Sequence, residues 1–393
     1  MLDRTGMRQI ENILRVHIEQ NDLAGGNLMV IKNGNEIFYH EDGYADREAG
    51  LPIRRDTIFR LYSMSKPVTA AAVMILLERG EIDLFDPASK FLDGFKNQMV
   101  DVGDSLVPVE KEVTLKDLLN MTSGLVYGGE GKAGKGTEAL FEEIGEKLLG
   151  DTPMGTIEAM NKLGKCPLFF QPGSYWWYGT SADVLGAIVE VVSGKRFGEF
   201  LQKEIFEPLS MRDTGFWVTE EKRGRMAKAY EADGNGGLKH YAGNHLGIIN
   251  RMDRNPAFES GGAGLVSTID DYARFTRMLR NGGSLDSARI LRPKTVEFMR
   301  SGSLNAAQQR GFDLWPTLPG HSYGNLMRVA TNSGQAGSIT SSGEYGWDGW
   351  LGAYFCNCPK DDLTFLFMMQ KKDAGTTPLT RKLRNIVLSS CCD

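Results

Sequence analysis

Tyr62-Ser63-Met64-Ser65-Lys66-Pro67-Val68-Thr69-Ala70-Ala71-Ala72-Val73-Met74-Ile75-Leu76-Leu77-Glu78-Arg79-Gly80 is the stretch on which the reading turns. From about Met64 it reads as a helix: the apolar residues recur with helical periodicity, with Pro67 in the first turn and Gly80 at the end. Ser63 and Lys66 form an S-x-x-K, and no other S-x-x-K occurs in the chain. Three residues is just under one helical turn, so the two side chains share a face. Ser63 would sit at the helix N-terminus, where free N–H groups and the dipole favour developing negative charge. A serine hydroxyl is a poor nucleophile until a base takes its proton, and a partly desolvated lysine with a lowered pKa can be that base. Taken alone, the same four residues also fit a serine N-cap with a solvated lysine.

Around this helix the chain reads as an ordinary globular protein. Its 393 residues carry 45 Lys+Arg against 50 Asp+Glu, a net charge of −5, which excludes the positive field of a general nucleic-acid binder. Hydrophobic residues make up 41% and charged ones 24%, so the chain is not disordered. The length exceeds one compact domain and implies two lobes. Cys166, Cys356, Cys358, Cys391 and Cys392 do not pattern as a disulfide framework or a zinc site. Met1 to Gln20 is a charged amphipathic helix without an apolar leader, and no run approaches a membrane span. The expectation is therefore a cytoplasmic protein with reduced cysteines, no metal and no cofactor.

Asn27–Lys32 and Glu36–His40 read as strands joined by an Asn33-Gly34 turn. Further strands are expected around Met327–Ala330, Gly352–Cys356 and Leu363–Gln370, with a closing helix over Pro378–Leu388. Between them, residues 85–260 look helical, with helices over Leu115–Met121, Leu140–Leu149, Ser181–Val192 and Phe197–Ile205 and a glycine-rich loop over Tyr127–Gly136. Strands at both ends with helices between them imply an α/β sheet domain of residues 1–64 and 265–393. A mostly helical domain of residues 65–264 is inserted, with the site in the cleft between the two.

Longer motifs follow in order along the chain. Thr57-Ile58-Phe59-Arg60-Leu61-Tyr62 leads into Ser63, and Leu84-Phe85-Asp86-Pro87 follows Gly80. Leu118-Leu119-Asn120-Met121-Thr122-Ser123-Gly124-Leu125 and Tyr178-Gly179-Thr180 with Asp183-Val184-Leu185-Gly186 come next. Pro208-Leu209-Ser210-Met211-Arg212-Asp213-Thr214 and Gly261-Gly262-Ala263-Gly264-Leu265-Val266-Ser267-Thr268 complete the series. Together they resemble the serine β-lactamase-like superfamily, in its class C β-lactamase and family VIII carboxylesterase branch, over residues of about 57 to 355. The resemblance implies a β-lactamase/transpeptidase-like fold, an antiparallel sheet flanked by helices with the helical lobe inserted. It also implies Ser63 as nucleophile, Lys66 as the group that helps deprotonate it, and Tyr178 as a proton shuttle.

The third motif departs from class C. Where β-lactamases carry K-T-G on the strand edging the cleft, this chain has Trp347-Asp348-Gly349-Trp350, closer to the W-x-G of the esterases. The resemblance implies substrate-binding roles for Trp347, Asp348, Gly349 and Thr180, the last replacing an asparagine of the second motif. It further implies an oxyanion hole from the backbone N–H groups of Ser63 and Trp350. Gly349 is expected to let the strand approach the substrate. Asp348 is read equally well as a carboxylate facing the cleft or as an outward-facing strand residue. The two departures point to a carboxylesterase acting on small-molecule esters. The alternatives are a β-lactamase, a D-alanyl peptidase working on an amide, or a non-catalytic penicillin-recognising protein. Neither a nucleic acid nor a membrane is an expected partner, and no motif fixes the oligomeric state.

A second serine motif competes. Gly320-His321-Ser322-Tyr323-Gly324 matches the G-x-S-x-G elbow, but that elbow needs a strand before it, a helix after it and a histidine further on. Asn325–Thr331 reads as a strand, and no histidine follows Ser322. His240 and His245 are spaced poorly for a metal pair.

Overall fold

A computed structural model describes residues 3–302, 304–315 and 317–391. Its frame is an antiparallel sheet of strands β1 (Gly25–Lys32), β2 (Asn35–Asp46), β3 (Leu51–Pro52), β4 (His321–Gly324), β5 (Met327–Ala330), β6 (Tyr345–Asp348), β7 (Tyr354–Cys358) and β8 (Leu363–Met369). They lie in the order β4-β5-β6-β7-β8-β1-β2-β3, so the two ends of the chain meet where β8 pairs with β1, Val30 opposite Phe365. The Asn33-Gly34 turn has φ of +51° and +78°, the left-handed pair that a two-residue hairpin requires.

Alternation along the strands divides the core. Leu28, Val30, Phe365 and Phe367 face helices α1 (Arg4–Glu19) and α5 (Pro378–Ser390), meeting Ile10, Leu14, Leu383 and Val387. Met29, Ile31, Leu366 and Met368 face the other way, into the large core that holds α2 (Lys66–Glu78), α3 (Ser181–Ser193) and α4 (Ile269–Arg280). Helix α2 is buried from Lys66 to Leu76, which explains why it is apolar all round instead of amphipathic. Each large aliphatic side chain so buried contributes about 1.5–3 kcal/mol.

The middle of the chain departs from expectation in two places. The glycine-rich stretch is not all loop, because a helix runs over Gly131–Lys147. Its first N–H groups are held from afar, Lys132 and Ala133 both donating to the Asp101 carboxylate. Gly134 is needed there, since a Cβ would stand 2.2 Å from the Gly129 carbonyl oxygen. Two short hairpins, Met99–Asp101 with Leu106–Pro108 and Ala229–Ala232 with Leu238–Tyr241, also interrupt the helices. Helix α4 is a further element beyond those expected from the sequence, and Thr268 caps it, accepting from the Asp271 N–H at 3.2 Å. Ser322 lies inside β4, and its hydroxyl accepts from the Leu304 N–H at 3.0 Å, so no strand–turn–helix elbow surrounds it. No helix among the described residues is long and apolar enough to cross a membrane.

Candidate functional site

Ser63 sits in a 3₁₀ turn, Tyr62–Ser65, that leads directly into α2. This segment is fastened on its far side. Phe59 and Arg60 pair with Ser267 and Val266, Leu61 N–H donates to Leu265 O at 2.8 Å, and Ser65 Oγ accepts from Leu265 N–H at 3.1 Å. The buried Arg60 guanidinium adds bonds to the Asn250 and Ala227 carbonyls. Tyr62, immediately before the serine, has φ +45°. A bulky residue held in that left-handed region costs on the order of 1–3 kcal/mol and persists only because its surroundings over-determine it.

Lys66 is fully buried beneath Ser63. Its ammonium nitrogen lies 3.1 Å from Ser63 Oγ, 3.0 Å from the Tyr127 hydroxyl and 2.8 Å from the Gly262 carbonyl oxygen. Burial disfavours the charged amine and brings its pKa down to about 7, with Asp183 and Asp348 resisting that fall. At neutral pH a large fraction of Lys66 is thus a free base within reach of the hydroxyl.

Tyr178 closes the constellation from the second motif. Its hydroxyl bonds Ser63 and accepts from the Trp347 indole N–H at 3.0 Å, and its ring lies 4.7 Å from the Lys66 nitrogen. Burial pushes its pKa well up despite both bonds, so it stands as a neutral phenol able to donate. Tyr127, which the motifs did not single out, is the third partner of Lys66, and burial raises its pKa as well. Its one sequence signal is position, two residues past the Leu118–Leu125 segment.

A cavity of about 740 Å³ opens over these groups, walled by Tyr62, Tyr127, Phe141, Tyr178, Trp315 and Trp350. Asp348 reaches it, which answers the question of its orientation. The Thr376 hydroxyl bonds its carboxylate, and burial raises its pKa. Trp350 also lines the cavity, stacked on His245 at 4.2 Å and donating its indole N–H to Asp373 at 2.7 Å.

Three expected substrate contacts are placed elsewhere. Trp347 is buried and spends its indole N–H on Tyr178, so it braces that tyrosine instead of lining the cavity. Thr180 is fully buried at the start of α3, its hydroxyl without a hydrogen-bond partner among the described residues and off the cavity. Gly349 is required by the chain itself, because a Cβ there would stand 2.1 Å from the Leu61 carbonyl oxygen. The strand thus approaches the turn that carries Ser63, not a substrate. Away from the cleft, Glu344, Cys356 and Cys358 have ligand atoms within 4.8 Å of one another. Arg328 and Arg384 already pair with that carboxylate, so the buried cluster has the polarity of an ion pair, not of a metal centre.

A family model described as Beta-lactamase matches residues 10–388. Protein Rv1367c of Mycobacterium tuberculosis is 33% identical over 358 residues, 88% of this chain and 86% of that protein. Esterase EstB of Burkholderia gladioli is 31% identical over 389 residues, 94% of this chain and 92% of that one. Among solved structures, EstCE1, described as a hydrolase with promiscuous acyltransferase activity, superposes with a TM-score of 0.81 at 24% identity over 98% of both chains, a likeness of fold. By the match along nearly its whole length and by two relatives above 30% identity, this chain belongs to the Beta-lactamase family, within the serine β-lactamase-like superfamily its motifs resemble.

Proposed function

We propose that the protein is a carboxylesterase that hydrolyses small-molecule esters through an acyl-enzyme on Ser63. The observation that carries this reading is the buried Lys66, its pKa near 7 and its nitrogen 3.1 Å from Ser63 Oγ. In the proposed cycle Lys66 takes the hydroxyl proton as Ser63 Oγ bonds the ester carbonyl carbon. The developing oxyanion is held by the N–H groups of Ser63 and Trp350, neither of which has a hydrogen-bond partner among the described residues. Tyr178, neutral and bonded to Ser63, passes a proton to the departing alkoxide. Water then attacks the acyl carbon by the reverse route and frees Ser63.

Ester preference over β-lactam rests on the cavity wall. The lysine of K-T-G is absent, and one charge-assisted hydrogen bond is worth about 1.5–3 kcal/mol, a factor of about 10 to 150 in binding a β-lactam carboxylate. Asp348 at the cavity adds repulsion. The relationship to Esterase EstB of Burkholderia gladioli supports the same assignment.

The test sets p-nitrophenyl acetate and butyrate, a chromogenic cephalosporin and a D-alanyl peptide side by side. Wild-type enzyme should turn over the short esters with a kcat/KM well above the others. Ser63→Ala should lose turnover and labelling by a fluorophosphonate, whereas Ser322→Ala keeps both. A cephalosporin cleared as fast as the best ester would replace the esterase reading with a β-lactamase one.

A further inference from the structure

Two motifs in the sequence, the Asp183 segment and the Gly261–Thr268 segment, meet beneath Lys66. Asp183 lies in the first turn of α3, 1% exposed. Its Oδ1 accepts from the Ser260 hydroxyl at 2.5 Å and from the Gly262 N–H at 3.0 Å. Ser260 Oγ in turn accepts from the Ala263 N–H at 3.0 Å. The opposite end of the same residue, the Gly262 carbonyl, accepts from Lys66 at 2.8 Å. From the other side Thr69, one turn along α2 from Lys66, donates to the Gly261 carbonyl at 2.6 Å. Gly262 has no room to shift, since a Cβ there would meet Asp183 Oδ2 at 2.8 Å and the Tyr127 hydroxyl at 3.1 Å.

We infer that Asp183 is a positioning residue for the reaction: through Gly262 it aims Lys66 at Ser63, and its charge opposes the loss of the Lys66 proton. The inference rests on the acyl-enzyme reading above. A buried carboxylate is costly unless it is satisfied, and this one is satisfied by Ser260 and Gly262, in the segment whose carbonyl holds the lysine. The ionisable groups facing Lys66 are Tyr127, Tyr178, Asp183 and Asp348. The two tyrosines stay neutral, so the two aspartates are the charges that oppose the loss of its proton.

The two roles separate in two substitutions. Asp183→Asn keeps an acceptor for Ser260 and Gly262 but removes the charge. Lys66 then deprotonates more easily, and the acid limb of kcat/KM for p-nitrophenyl acetate should move about half a pH unit or more toward acid. Asp183→Ala releases the Gly262 N–H, and the plateau rate of fluorophosphonate labelling should fall about tenfold or more with KM little changed. If Asp183→Asn does not accumulate as folded protein, the acid limb of Asp183→Ala, which removes the same charge, carries the test. A folded Asn or Ala variant with an unmoved limb overturns the electrostatic role. An Ala variant that labels at the wild-type plateau rate overturns the aiming role. Turnover or labelling in Ser63→Ala is a different failure, that of the acyl-enzyme reading itself.

Discussion

Replacing Gly349 with alanine probes the joint between the sheet and the serine turn. The added Cβ would stand 2.1 Å from Leu61 O, where ordinary contact begins near 3.4 Å, so backbone must yield by about 1 Å. Gly349 is poorly placed to yield, since its N–H donates to Ala353 O at 2.7 Å and its carbonyl accepts from Gly352 at 2.8 Å. Leu61 O, for its part, accepts from the Met64 N–H at 3.2 Å, the bond that opens the turn bearing Ser63. The displacement is therefore delivered to the nucleophile. Forced overpacking costs about 1–3 kcal/mol of stability, and a misplacement of about 1 Å at a reacting group costs roughly a hundredfold in rate. Gly349→Ala should thus melt several degrees lower, remain folded at 25 °C, and lose about two orders of magnitude in kcat/KM for p-nitrophenyl acetate. Parallel melting curves and initial rates check it. A variant with wild-type activity and wild-type melting would show that Leu61 and Gly349 are not in the contact described, and the account of Gly349 would fail with it.

Trp347→Phe removes the indole N–H from Tyr178 while keeping an aromatic ring, and should lower kcat about tenfold, the worth of one hydrogen bond at a proton-transferring group; unchanged kcat with a raised KM would return Trp347 to the substrate. The pH profile of kcat/KM should rise through about pH 7, since Lys66 acts as the free amine and its pKa is lowered to that value. A limb near pH 10 would mean that the lysine is not desolvated as described. Asp348→Asn removes the carboxylate that reaches the cavity and should raise kcat/KM for a monoanionic ester several-fold relative to its neutral methyl ester, a ratio measured at low and high salt. No change in that ratio would place the repulsion elsewhere.

What the sequence disclosed follows from how local each signal is. Ser63 and Lys66 are three residues apart on one turn, and β1 and β2 are joined by two residues of left-handed backbone, so both were readable from spacing. Tyr127 stands 61 residues from Lys66, and nothing in its neighbours specifies a bond to that amine. The first turns of the helix Gly131–Lys147 were hidden because their cap, Asp101, comes from a distant hairpin, and glycine weighed against them locally. Gly349 was expected to bring the strand to the substrate, but a strand pattern cannot say what the backbone approaches, and the close neighbour is Leu61. Thr180 and Trp347 were assigned to the substrate by their place in a motif. Burial, which depends on the whole fold, turned both inward.

The meeting of the two chain ends in one sheet also governs how the protein is made. Val30 finds its partner Phe365 only after 335 further residues have been added. At about 5–20 residues per second, β1 and β2 wait roughly 17 to 70 s with one edge open. That edge carries Leu28, Met29, Val30 and Ile31, an apolar run able to pair with a neighbouring nascent chain. The serine turn, braced by Leu265 and touching Gly349, likewise cannot take its final shape until the last third emerges. Unassisted synthesis at high ribosome density is the condition under which this architecture is most exposed to aggregation, and a chain cut short before Leu363 would carry the open edge permanently.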